Sequence, residues 1–290
     1  MKKILITGAT GFIGNNLLHY FLKKKYFIYA ILRKSKKNIK FSKEHEINKN
    51  FKSIIFSDIY NLKKQLLNYK IDYVVHAATY YVKKHKSSDI NKIIESNILF
   101  PTIIIDLLCN KTIKKFINFG TVWQHYNNKK DHAHNLYASS KQAFNMIFNY
   151  YRNQFPKTKF FNLLISDTFG KNDKRKKLIP IIIKNYNKKK TIVIPKNLSI
   201  NLVNVEYIQK IIENIINKDI KSDTYVIKGK KNLKIFDLIN YLNQKLNKKI
   251  KINWTKNKVS NEKIINFKTI NFNKKNDTKK EILNLFDENT

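Results

Sequence analysis

The chain predicts a doubly wound parallel α/β sheet with a smaller C-terminal α+β lobe, and two observations carry that prediction. The first is a short apolar strand that turns through Gly8, Gly11 and Gly14 into a segment of helical period. The second is the regular alternation of strand-like and helical segments from there to Ile165. A turn passing directly from strand to helix needs positive φ and room for a ligand to approach the backbone, which glycine offers most cheaply. The unpaired N–H groups of the following helix carry the positive end of its dipole. Gly8, Thr10, Gly11, Phe12, Ile13 and Gly14 are therefore read as a pyrophosphate cradle for a dinucleotide.

In order, Ile4–Ile6 is a buried strand and 15–22 a helix. Residues 26–32 form a second strand, 36–52 a polar loop with a short helix, and 51–56 a third strand. A helix over 61–69 and a strand over 71–77 follow. Residues 89–108 read as one long helix, with Asn97 inside it and Pro101 expected to kink it. A strand over 113–119, a helix over 137–154 and a strand over 159–165 complete the pattern. Beyond Phe169 the rhythm loosens. Segments 224–228, 236–246 and 249–254 are expected to build the second lobe. The expected boundaries are 1–168 for the nucleotide domain, 169–255 for a substrate lobe interleaved with that domain, and 256–290 for a lysine-rich, partly mobile tail.

The formal charge of +38 invites a nucleic-acid reading, but its distribution argues against one. All but three of the 58 basic residues are lysines, spread over the whole length. Nucleic-acid readers cluster charge and favour arginine for bidentate contacts. No specific nucleic-acid partner is expected. No run of 18 apolar residues exists to suggest a membrane span. A single cysteine, Cys109, fits a reducing cytoplasm and reads as a small buried hydrophobe.

The candidate chemistry centres on Tyr137 and Lys141, four apart at a helix start and so on one face. A phenol near pKa 10 is a poor acid or base at neutral pH, and a neighbouring ammonium should lower that value. Thr121, at the end of the fifth strand, offers a hydroxyl to the same carbonyl oxygen. With the glycine turn supplying a hydride carrier, the three become a candidate reductive site. His125, His132 and His134 lie near Asp131, but their spacing matches no ligand pattern, and no metal is expected.

With Thr7-Gly8-Ala9-Thr10-Gly11-Phe12-Ile13-Gly14 and Tyr137-Ala138-Ser139-Ser140-Lys141, the chain resembles the extended short-chain dehydrogenase/reductases, in the nucleotide-sugar epimerase/dehydratase branch. The resemblance covers roughly residues 1 to 250 and implies a Rossmann domain. It implies further cofactor contacts at Asp58-Ile59, at Ala77, Ala78 and Thr79 of an H-x-A-A strand end, and at Asn97. Family members often dimerise through the helices here spanning about 89–108 and 137–154, so a homodimer is implied. More narrowly, residues 95–101, 116–121 and 135–142 look like the CDP-paratose and CDP-abequose synthases, which reduce the 4-keto group of a CDP-linked deoxy sugar. That resemblance implies a nucleotide-sugar substrate (CDP-, dTDP- or GDP-linked) destined for a surface polysaccharide.

Several departures from the family pattern matter. Dehydratases carry Thr-Asp-Glu where this chain has Thr121-Val122-Trp123, so proton elimination is not expected. Phe169-Gly170-Lys171 replaces Tyr-Gly-Pro, and Ile200-Asn201 replaces Arg-Asp, leaving Lys177 or Lys196 as candidate diphosphate contacts. Trp123, Gln124 and His125 are expected to pack on the sugar. At the end of the second strand, where an NAD site places a carboxylate, the chain has Arg33-Lys34-Ser35. A guanidinium there favours a 2′-phosphate, so NADP(H) is expected over NAD(H). Alternative functions are an NAD-retaining epimerase of the same family and a non-catalytic NADP sensor.

Overall fold

The computed structural model describes all residues except 112, 131, 258, 260–262, 264–266, 271–276 and 288–290. The first half alternates strands and helices: β1 (Lys3–Thr7), α1 (Phe12–Lys23), β2 (Phe27–Arg33), α2 (Lys36–Glu46), β3 (Phe51–Phe56), α3 (Ile59–Leu66) and β4 (Tyr73–His76). After α4 (Ile90–Ile94), a π turn (Glu95–Leu99) leads into α5 (Phe100–Cys109), followed by β5 (Lys115–Thr121), α6 (Leu136–Gln154) and β6 (Lys159–Ile165). Beyond it come β7 (Asp167–Phe169), α7 (Leu178–Asn187), β8 (Ile192–Pro195), β9 (Ser199–Ile200), β10 (Leu202–Asn204) and α8 (Val205–Asn217). The remainder holds β11 (Asp223–Ile227), β12 (Leu233–Lys234), α9 (Ile235–Lys245), β13 (Ile252–Thr255) and α10 (Thr278–Asp287).

Seven strands form one parallel sheet in the order β11-β6-β5-β4-β1-β2-β3. The order reverses between β1 and β4, so a crevice opens beyond the carboxyl ends of these two strands. Their side chains are buried on both faces, as expected of a sheet sandwiched by helices. One face packs on α1 and α8, where Ile208, Ile211, Ile212 and Ile215 repeat at helical spacing. The other packs on α3, α5 and α6, through Leu62, Ile104, Leu108, Phe144 and Phe148. A separate core joins α7, α9 and α10 around Ile182, Leu238 and Phe286.

One expectation needs correction. Segment 224–228 is expected in the lobe, yet β11 pairs with β6 as the sheet's outer strand. A strand's local pattern marks it as apolar but does not name its neighbour. Within segment 256–290, α10 buries Ile282, Leu285 and Phe286 in the lobe core, and Ile270 joins the sheet core. Before Pro101 the helical path runs through the π turn. The Phe100 N–H bonds Glu95 O in the π turn, and Pro101 then takes an early position in α5, where a missing N–H costs little.

Candidate active site

The crevice at the strand reversal is a cavity of about 1300 Å³ that runs from the glycine turn to the lobe. Gly8 adopts φ +72°, and a Cβ there would lie 2.6 Å from the Ala78 N, so the turn presses directly against the end of β4. A Cβ on Gly14 would sit 2.2 Å from the Gly8 O, which fixes the close packing of α1 on the turn. Gly11, by contrast, would meet only the Gly8 O within van der Waals range, at 3.2 Å, so its outer side faces open space. Helix α1 starts without a side-chain cap and with no acid in its first turn. Its leading N–H groups therefore point unsatisfied at the cavity. These residues fit a dinucleotide pyrophosphate.

Thr7 ties the two strands at the reversal together. Its Oγ1 lies 2.8 Å from His76 Nδ1 and accepts the Ala78 N–H at 3.2 Å. Burial, and then the charge of Lys141, hold His76 well below its ordinary pKa, so its ring is neutral.

Tyr137 and Lys141 both line the cavity, one turn apart at the start of α6, which Asn135 caps by accepting the Ala138 N–H. Lys141 is 2% exposed, and burial pushes it down to about 8. Burial likewise raises the Tyr137 phenol. A hydrogen bond with Thr79 opposes that rise, while the charge of Asp167 adds to it. The expected lowering of Tyr137 by Lys141 is thus reversed here. Burial shifts both groups toward their neutral forms, yet with Lys141 near 8 the ammonium and the phenol both keep their protons at neutral pH.

Thr121 closes β5 at the same wall and is 7% exposed. Its Oγ1 accepts the Trp123 N–H at 3.3 Å. Of the three residues expected on the sugar, only Trp123 lines the cavity. Gln124 is fully buried and braces the strand end: its Oε1 accepts the Thr121 N–H at 2.8 Å and its Nε2 donates to Gln142. His125 lies off the wall, its ring tilted against that of Phe267.

The cofactor residues divide in the same way. Arg33, Ala77, Ala78 and Thr79 line the cavity with the glycine turn. Arg33 donates to Ser96 Oγ at 3.1 Å. Lys34 and Ser35 do not reach the wall; Ser35 instead caps α2 by accepting the Asn38 N–H. Asp58 caps α3 in the same manner, and Ile59 opens that helix, while Phe56 supplies the wall beside them. Asn97 is a brace rather than a contact. Its Oδ1 accepts from the Thr79 hydroxyl and the Tyr80 N–H, and its Nδ2 donates to Tyr80 O and Ser140 Oγ. Ser140 donates in turn to Tyr137 O at 2.7 Å. The π turn aims Asn97 inward and couples the loop after β4 to the turn that carries Tyr137.

Lys177 reaches the cavity, whereas Lys196 lies over Phe236 outside it. Asn201 is occupied in the lobe, where its Oδ1 accepts the Gly229 N–H at 2.7 Å. Sequence reasoning missed Tyr81, Ser96, Asp167 and Arg175, which also line the wall. Asp167 alone carried a usable signal, since it lies two residues past the carboxyl end of β6. Among the described residues, no three His, Cys, Asp or Glu side chains cluster as metal ligands, and Asp131 lies outside them.

The model of the NAD dependent epimerase/dehydratase family matches residues 4–202, from β1 through the glycine turn, Tyr137 and Lys141 to β10. The chain belongs to that family. Among curated members, it is 32% identical over 187 residues to CDP-abequose synthase of Salmonella muenchen, covering 63% of this chain and 59% of that one. It is 26% identical over 216 residues to CDP-abequose synthase of Yersinia pseudotuberculosis, covering 74% and 72%. The match thus spans about three fifths of the first relative's length. In fold, this epimerase/dehydratase-family chain is similar to UDP-glucuronic acid 4-epimerase from Bacillus cereus in complex with UDP-glucuronic acid and NAD. That likeness has a TM-score of 0.74 at 22% identity, over 88% and 86% of the two chains. The dTDP-glucose 4,6-dehydratase from Bacillus anthracis gives 0.77 at 17% identity, over 100% and 97%.

Proposed function

We propose that this chain is a cytoplasmic NADPH-dependent reductase acting on the 4-keto group of a nucleotide-linked 4-keto-6-deoxy sugar, for the synthesis of a surface polysaccharide. The observation that carries the reading is the convergence of Tyr137, Lys141 and Thr121 on one wall of a cavity whose far end is the glycine turn. The curated relatives, named CDP-abequose synthase, support the substrate class. The glycine turn, Ala77, Ala78, Thr79 and Arg33 would hold the dinucleotide, which when bound would supply the hydride for the keto carbon. Tyr137 delivers its proton to the carbonyl oxygen; burial makes the phenol a weaker acid in the ligand-free site, so the transfer depends on a cation beside the phenolate. Lys141, one turn along, balances the phenolate that forms. Thr121 hydrogen-bonds the same oxygen. Arg33, at the cavity's nucleotide end, favours the 2′-phosphate of NADP(H).

A homodimer accompanies this reading. Ile90, Ile94 and Leu99 on the α4–α5 side and Met146 and Tyr150 on α6 are exposed large apolar residues on two adjacent helices. The test is NADPH oxidation against CDP-, dTDP- and GDP-linked 4-keto-6-deoxy sugars, with NADH in parallel. Turnover with one nucleotide class, faster with NADPH, is expected. Silence across the panel despite tight cofactor binding overturns the reductase and points to an epimerase or a sensor.

A further inference from the structure

The cavity wall holds an ion pair that the proposed chemistry leaves unused. Asp167 opens β7, which pairs with β10 in a small two-stranded sheet, and Lys177 is the residue before α7. Lys177 Nζ lies 2.7 Å from Asp167 Oδ1, with both side chains partly open to the cavity. The same ammonium sits 4.7 Å from the centre of the Tyr81 ring and 5.4 Å from that of Trp123. Tyr81 in turn meets Tyr137 edge to face at 4.9 Å. The pair therefore stands one aromatic ring away from the proton donor. Among the described lining residues Asp167 is the one carboxylate, amid Arg33, Lys83, Lys141, Arg175, Lys176 and Lys177.

A diphosphate needs cations and is repelled by a carboxylate, so Asp167 is badly chosen for holding one. A sugar hydroxyl is the complementary ligand. It donates to an acceptor-only carboxylate and accepts from a donor-only ammonium at the same time. Flanking aromatic rings meet the apolar faces of a hexose. We propose that the Asp167–Lys177 pair, walled by Tyr81 and Trp123, is a specificity-determining subsite that grips one ring hydroxyl of the hexose in a nucleotide sugar. The inference rests on the nucleotide-sugar reading but not on which reaction follows. Lys177 thereby leaves the candidate diphosphate contacts and becomes a sugar contact. The diphosphate falls to the remaining cations of the wall.

Hydrogen bonds to charged groups are worth enough to make this subsite measurable, at about ten- to a hundredfold in affinity. The test is calorimetric binding of CDP, CDP-glucose, CDP-2-deoxyglucose and CDP-3-deoxyglucose to the NADP-loaded protein, which needs no turnover. In the wild type, CDP-glucose should bind more tightly than one of the two deoxy sugars by that factor. In Asp167→Asn and Lys177→Met the advantage should collapse, with CDP itself bound as before, and Lys177→Arg should retain part of it. Thermal unfolding of each variant identifies any loss that comes from misfolding. For such a variant the wild-type deoxy-sugar comparison alone decides. Equal weakening of CDP and every CDP-sugar in folded variants overturns the proposal and makes the pair a diphosphate or packing element. Wild-type affinity that is the same for all three sugars overturns it as well. If none of the four ligands binds, with NADP still held, the same series is run with dTDP and GDP in place of CDP; when no series binds, the nucleotide-sugar reading fails first, and the subsite falls with it.

Discussion

Replacing Lys141 with methionine should stabilise the ligand-free protein while removing its activity. The ammonium is 2% exposed, and burial alone accounts for its fall from 10.5 to about 8. At about 1.4 kcal/mol per unit, holding the charged form inside the folded wall costs about 3 kcal/mol at pH 7. Methionine has a similar reach and no charge, so the ligand-free variant recovers that cost. In a chain of this size the gain corresponds to a rise in Tm of roughly 6 °C. The pH dependence carries the sharper signature. Between pH 8 and 10.5 the folded wild type has shed the Lys141 proton while the unfolded chain retains it. The unfolded state then binds more protons, so wild-type stability rises with pH through this window. The variant lacks that rise at position 141, and the other lysines cancel in the comparison. Urea denaturation of both proteins at pH 7, 8, 9 and 10 measures the difference directly. The variant should lead by the full amount at pH 7, and the lead should shrink steadily above pH 8. A variant no more stable than the wild type at pH 7, or a lead independent of pH, refutes the reasoning.

Tyr137→Phe should lower kcat by about 10²–10⁴, with NADPH affinity measured by fluorescence titration unchanged; near-normal turnover removes Tyr137 as the proton donor. Arg33→Ala should weaken NADPH by about ten- to a hundredfold and leave NADH nearly untouched, since only the former offers a phosphate to the guanidinium. Equal losses in a binding titration remove the claim for Arg33. Phe286→Ala should cost about 3–5 kcal/mol in urea denaturation, because Phe286 is buried and packs edge-on against Tyr186 at 5.1 Å. A cost below about 1 kcal/mol takes α10 out of the lobe core.

What was legible in the sequence is what chemistry writes locally. The glycine turn depends on residues three apart, and Tyr137 and Lys141 on one helical turn, so both can be read without knowing the fold. The brace at Gln124 was also written locally: Thr121 and Gln124 have the spacing of a capping box, which the neighbouring aromatic residues obscured. Buried residues of α10 at 282, 285 and 286 follow helical spacing but sit among lysine and asparagine. The partner of Asp167 was not legible, because it lies ten positions away across an irregular loop. Tyr81 and Ser96 reach the wall only through the tertiary path of the segment after β4. The edge position of β11 likewise depends on the chain returning from the lobe, which no local pattern records.

That return has a consequence for anyone who would treat the lobe as an exchangeable module. After β6 the chain crosses into the lobe, comes back through α8 and β11 to complete the sheet, and then leaves again. The lobe is thus sewn in with two seams rather than attached at one. Cutting after residue 168 would strip α8 from one face and leave β6 as a raw edge open to pairing with other chains. A transplant of sugar preference between relatives must therefore carry two separate segments, and its success hinges on keeping the α8–β11 stitch native between them.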